Sequence, residues 1–198
     1  GAFTTAAGMV AITEKHLNDK FSQNLDKSNV VILGGTGPVG VASAVICAKA
    51  GANVTLVGRS LEKAEKIAGT CNNRYDSKNV KGGADADKSD FFNAADIVLN
   101  TGAAGIQLMS EEHIKNSNTL KICADTNAVP PSGIAGVDVM DNGKVIDMSP
   151  SKCLGIGALA IGNIKYKSQH ECLKLMYTSE KPVYLDFEDA FKFAQKSV

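Results

Sequence analysis

The segment Val30-Val31-Ile32-Leu33-Gly34-Gly35-Thr36-Gly37-Pro38-Val39-Gly40 decides the fold. Four apolar residues in a row, with no alternation, mark a strand buried on both faces, as strands of a parallel sheet are. The glycines that follow have the spacing G-x-G-x-x-G and lead into a helical stretch, Val39 to Ala50, closed by Gly51. Strand, glycine turn and helix in that order give the string its meaning, because Gly alone is too common to carry it. Gly35 lets the chain turn off the strand, Gly37 lets a pyrophosphate reach the backbone, and Gly40 lets the helix pack close to the sheet. With Thr36, Pro38 and Val39 between them, these residues put unpaired N–H groups and a positive dipole end where phosphates would sit. The plainer alternative is a glycine-rich turn without a ligand.

Outward from this segment the pattern repeats. Val54 to Val57 reads as a second buried strand, and Ser60 caps a helix from Leu61 to about Cys71. Val80 marks a weak third strand, Ile97 to Asn100 a clear one, and Leu120 to Ala124 another, after a short helix opened by Ser110-Glu111-Glu112. Strands alternating with helices at this spacing predict an α/β fold, a Rossmann-type doubly wound parallel sheet. Upstream, Thr4 and Thr5 are expected to cap a helix running to Leu17, followed by a loop from Asn18 to Asn29. Downstream, Asp141-Asn142-Gly143 reads as a hairpin turn, Asn163 to Thr178 as a helix, and Asp186 as the cap of a last helix. The expected organisation is a linking helix and loop at 1–28 and a dinucleotide-binding domain at 29–198, with flanking interdomain helices.

A second discriminator follows Val57. Proteins that hold NAD place an acid near the end of this strand for the ribose 2′-OH. Here Gly58-Arg59-Ser60 stands instead. Arg59 can grip a 2′-phosphate bidentately, Ser60 can donate at the helix start, and Lys63 adds charge one turn on. NADP is the expected cofactor, with NAD also possible; a solvated surface arginine is the plainer reading of Arg59. Thr101, Gly102 and Ala103, at the end of another strand, are small enough for a nicotinamide ribose to lie against backbone. Asn127 and Gly157 are further candidates near the nicotinamide, against an Asx turn and a connector.

Composition sets outer bounds. The 198 residues carry 21 basic and 21 acidic side chains, a balance that argues against a nucleic-acid or anionic-membrane binder. The five cysteines form no C-x-x-C pair and read as reduced thiols, so a cytoplasmic setting is expected. The three histidines have no metal-ligand spacing, and no metal is expected. The chain opens at Gly1 rather than Met, which suggests a processed or truncated product.

Three blocks carry a family resemblance: Thr101 to Leu108, Ala124-Asp125-Thr126-Asn127-Ala128-Val129-Pro130-Pro131, and Gly157-Ala158-Leu159-Ala160-Ile161-Gly162-Asn163-Ile164-Lys165. With the glycine segment and Gly1 to Ala7, they resemble the NAD(P)-dependent methylene-tetrahydromethanopterin dehydrogenases across essentially the whole chain. The resemblance implies hydride transfer from methylene-tetrahydromethanopterin, or methylene-tetrahydrofolate, to NADP+, giving the methenyl pterin in one-carbon metabolism. It implies a homo-oligomer, a reduced pterin as substrate, and a preceding substrate domain, apparently absent from this chain, that completes the cleft. It also assigns Lys165 to the pterin side. One turn on, Gln169 stands where the resemblance leads to a histidine, which leaves the role of that position open. The competing readings are a shikimate-dehydrogenase-like NADP oxidoreductase and a non-catalytic NADP-binding module.

Overall fold

The buried runs do form parallel strands. A computed structural model describes every residue from Gly1 to Val198. The strands are β1 (Asn29–Leu33), β2 (Asn53–Gly58), β3 (Val80–Ala84), β4 (Ile97–Asn100), β5 (Ile122–Asp125), β6 (Asn142–Val145) and β7 (Leu154–Ile156). They make one sheet in the order β3-β2-β1-β4-β5-β7-β6, with only β6 antiparallel. The order reverses between β1 and β4, and open α/β sheets bind ligands outside the carboxyl ends of the strands at such a point.

Seven helices cover the sheet: α1 (Ala2–Phe21), α2 (Pro38–Lys49), α3 (Leu61–Tyr75), α4 (Lys88–Asn93), α5 (Glu111–Asn116), α6 (Ala158–Thr178) and α7 (Phe187–Gln195). Alternate strand residues face two separate cores. Val30, Ile32, Leu56, Leu99 and Ala124 pack under α1, α2, α6 and α7, whereas Val31, Leu33, Val57, Val98 and Cys123 face Phe92 of α4 and Ile114 of α5. Helix α1 is tightly seated: a Cβ on Gly8 would stand 2.9 Å from the Lys165 backbone nitrogen of α6. Its residues Ala6, Met9, Val10 and Leu17 belong to the main core.

Four local expectations are corrected. Helix α1 starts at Ala2 with Gly1 at its N-cap, and the Thr5 hydroxyl donates back to the Gly1 carbonyl, so Thr4 and Thr5 lie inside the helix rather than capping it. The same helix continues through the polar residues Asn18 to Lys20, shortening the expected loop. Asp141-Asn142-Gly143 is not the hairpin turn: Gly143, at φ +76°, forms an irregularity within β6 beneath the His16 ring, and the turn lies between Val145 and Leu154. Helix α6 begins at Ala158, five residues before its expected start, because Gly157 supplies an extended N-cap.

Candidate functional site

Four strand ends, those of β1, β2, β3 and β4, and the start of α2 build a single cleft. Leaving β1, Gly34 turns the chain with φ +64°, a conformation that costs little only for glycine. A Cβ there would also meet the Gly102 backbone, so β1 and β4 touch at their ends. Gly35 is pressed against Leu56, and its N–H donates to the Val57 carbonyl over 3.0 Å. Gly40 lies against Gly35, where an added Cβ would be 2.6 Å from the Gly35 Cα.

Gly37 differs from these neighbours. An added Cβ would find nothing nearer than the Gly34 carbonyl oxygen at 3.5 Å, and the residue is the extended N-cap of α2. Packing explains Gly34, Gly35 and Gly40; it leaves Gly37 unexplained. The backbone N–H groups of Val39 and Gly40 donate to no protein acceptor. An open α-carbon beside free donors at a helix N-terminus fits an anionic group approaching the backbone.

The cleft in front of this loop has a volume of about 430 Å³ and is lined by Gly34, Thr36, Gly37, Val57, Gly58, Arg59, Asp85, Thr101, Gly102, Ala103, Ile106 and Leu108. Arg59 leaves the end of β2 exposed and makes no ion pair. Ser60 caps α3, its hydroxyl accepting from the Lys63 N–H at 3.3 Å. At the other wall, the Thr101 N–H and hydroxyl both donate to the Leu33 carbonyl over 2.9 Å. The Asn100 side chain, fully buried, accepts from the Gly102 N–H over 3.0 Å and donates to Asp125 over 2.7 Å. Asp125 also accepts from the N–H groups of Asn127 and Ile134. This buried carboxylate ties the loops after β4 and β5 into one rigid floor.

The structure thus brings together Gly35 to Gly40, Arg59 and Thr101 to Ala103, with Ser60 and Lys63 at the adjacent start of α3. It does not bring the remaining expected residues into the cleft. Asn127 is occupied locally: its side-chain oxygen accepts from Gly105 and Val129, and its amide donates to the Pro131 carbonyl. At Gly157 the space for a side chain is taken by Asp138 and Val139, so packing of its own chain accounts for that glycine. Lys165 and Gln169 lie on α6, about 12 and 18 Å along the helix from its N-cap. Neither makes an ion pair or side-chain hydrogen bond, and Gln169 is exposed. Sequence reasoning missed Asp85, Ile106 and Leu108 in the cleft lining. The signal for Asp85 was its place immediately after the weak strand at Val80.

No family model matches the chain. It is 40% identical over 197 residues to the NAD(P)-dependent methylenetetrahydromethanopterin dehydrogenase of Methylorubrum extorquens, a match covering 98% of this chain and 66% of that protein. To the bifunctional protein MdtA of the same organism it is 35% identical over 199 residues, covering 99% and 66%. The chain therefore spans just under two thirds of the length of both curated relatives. In fold it is similar to quinate dehydrogenase from Corynebacterium glutamicum in complex with NAD, with a TM-score of 0.58, 16% identity, and coverage of 93% of this chain and 61% of that one. This last likeness bears on architecture alone.

Proposed function

We propose that the chain belongs to the NAD(P)-dependent methylenetetrahydromethanopterin dehydrogenase family, whose curated relatives it matches over nearly its whole length, and that it supplies the dinucleotide half of an enzyme oxidising methylene-tetrahydromethanopterin or methylene-tetrahydrofolate. NADP+ is the preferred oxidant, and NAD+ is a second one. The observation that carries this reading is Gly37, whose open α-carbon faces the cleft beside unpartnered N–H groups. The family accounts for the chemistry; Gly37 accounts for where the phosphates go.

Each residue then has a physical task. Val39 and Gly40 donate to the pyrophosphate from the start of α2. Arg59, free of any carboxylate partner, meets the 2′-phosphate, with Ser60 and Lys63 behind it. Thr101, Gly102 and Ala103 leave room for the nicotinamide ribose over the end of β4. When bound, the nicotinamide supplies the hydride acceptor. No proton leaves with the hydride, so the residues must fix distance and orientation rather than act as a strong base.

Lys165 and Gln169 are assigned to the pterin side, apart from the dinucleotide. The curated relatives are longer than this chain, and a preceding domain within that extra length completes the pterin cleft. Self-association of copies and a cytoplasmic setting, suited to five unpaired cysteines, belong to the same reading. The test is to mix the full-length protein with NADP+ and each methylene pterin and follow NADPH by its near-ultraviolet absorbance. NADPH formation with one of the two pterins is expected. Dinucleotide binding without turnover of either would contradict the proposal.

A further inference from the structure

Asp85 is the one acid in the lining of the cleft that Arg59 also walls. The pairing of β2 with β3 sets Gly58 opposite Ala84, so Arg59 and Asp85 are the first residues beyond two adjacent strand ends. Along the order β1, β2, β3 the strand ends therefore present the glycine loop, then Arg59, then Asp85. Two strand spacings of about 4.8 Å put Asp85 roughly 10 Å to the side of the glycine loop. If phosphate lies at the first strand end and the ribose at the second, the base falls at the third.

We infer that Asp85 selects the base of the dinucleotide by accepting a hydrogen bond from the 6-amino group of adenine. The inference rests on the dinucleotide reading above. A carboxylate only accepts, and the adenine 6-amino group only donates, so the two match. A 6-oxo purine would instead oppose lone pair to lone pair. Ile106, also in the lining and exposed, offers apolar surface to the face of a ring.

Lys88 makes an acid tolerable in a cleft that must receive phosphates. Its ammonium donates to both Asp85 oxygens, at 3.1 and 3.2 Å. The lysine side chain is 19% exposed and the aspartate 41%. The pair thus fixes the carboxylate and offsets its charge, while each oxygen keeps a lone pair for another donor. As a surface ion pair three residues apart it would contribute little to stability. A purely structural role for Asp85 would leave base preference untouched.

The test is a calorimetric titration with NADP+ and with its 6-oxo counterpart, nicotinamide hypoxanthine dinucleotide phosphate. The natural chain should bind the adenine form about tenfold more tightly, the factor expected of one hydrogen bond of about 1.4 kcal/mol. In Asp85→Asn the side-chain amide can also donate, and the ratio should fall to within about twofold. Asp85→Ala, which removes the acceptor, should narrow the ratio in the same way. An unchanged ratio in both variants, or no preference in the natural chain, overturns the role of Asp85 alone. Failure of the natural chain to bind either dinucleotide overturns the cofactor reading with it.

Discussion

Arg59 shows how one residue can set a preference without altering the fold. It is exposed at the end of β2, borders the cleft, and has no carboxylate partner to release before meeting a ligand. Its guanidinium offers two parallel donors to a phosphate and no comparable contact to a 2′-hydroxyl. Arg59→Ala should therefore weaken NADP+ binding by about 10- to 100-fold, the range of a charge-assisted hydrogen bond. NAD+ binding should change by less than about threefold, and the thermal midpoint should stay where it is. Equal losses for both dinucleotides would remove the 2′-phosphate role. This residue was legible in the sequence because its position follows a strand that is itself legible. Asp85 was not, since it follows Val80-Lys81-Gly82-Gly83-Ala84, an edge strand with two glycines and a lysine. Edge strands bury less, so they carry a weaker apolar signal.

Among elements, the glycine loop separates what folding needs from what binding needs. Gly40→Ala would force a methyl into the Gly35 backbone. It should destabilise the chain by about 2 kcal/mol or more, read as a lower thermal midpoint. Gly37→Ala meets open space at an extended residue and should cost no more than about 1 kcal/mol, the scale of a weakened N-cap. Its NADP+ affinity should nevertheless fall by about tenfold or more, because the methyl occupies the phosphate's approach. Comparable stability losses in the two variants would mean that Gly37 serves packing after all.

Helix α5 offers a pH-dependent case at the same scale. The Ser110 N–H donates to His113 Nδ1 over 3.1 Å, so Nδ1 must be unprotonated and the ring proton sits on Nε2, toward Ser89. Burial, and then the charge of Lys88, hold the His113 pKa below its ordinary value of about 6.5. A lowered folded-state pKa means that this stabilisation is complete above the unfolded value and is lost as pH falls through the folded one. As pH falls below about 6.5 the thermal midpoint of the natural chain should fall more steeply than that of His113→Asn, which keeps an acceptor without titrating. Parallel pH curves would contradict this. Ser110 as the helix start was readable from the sequence. The reciprocal bond that His113 accepts was not, because His is an unusual partner in a capping box.

Over the whole molecule, the sequence revealed most where strands are buried on both faces. The runs that became β1, β2, β4 and β5 carry no alternation and sit in the middle of the sheet, so burial alone marked them. At the edges β3 and β6 glycine and charge blurred the pattern, and the buried three-residue β7 was too short and too glycine-broken to read as a strand. The candidate site divided along the same line. The glycine loop, Arg59 and Thr101 to Ala103 converge because each follows a central strand or its neighbour. Lys165 and Gln169 were carried by resemblance alone and stand apart on α6, whose later turns expose Leu173, Met176 and Tyr177. Whether this convergence forms an NADP site is decided by a calorimetric titration of the natural chain with NADP+ and NAD+. Both should bind saturably, with NADP+ tighter by about tenfold or more, as expected for a phosphate gripped by arginine. Binding of neither, or tighter binding of NAD+, would contradict that expectation.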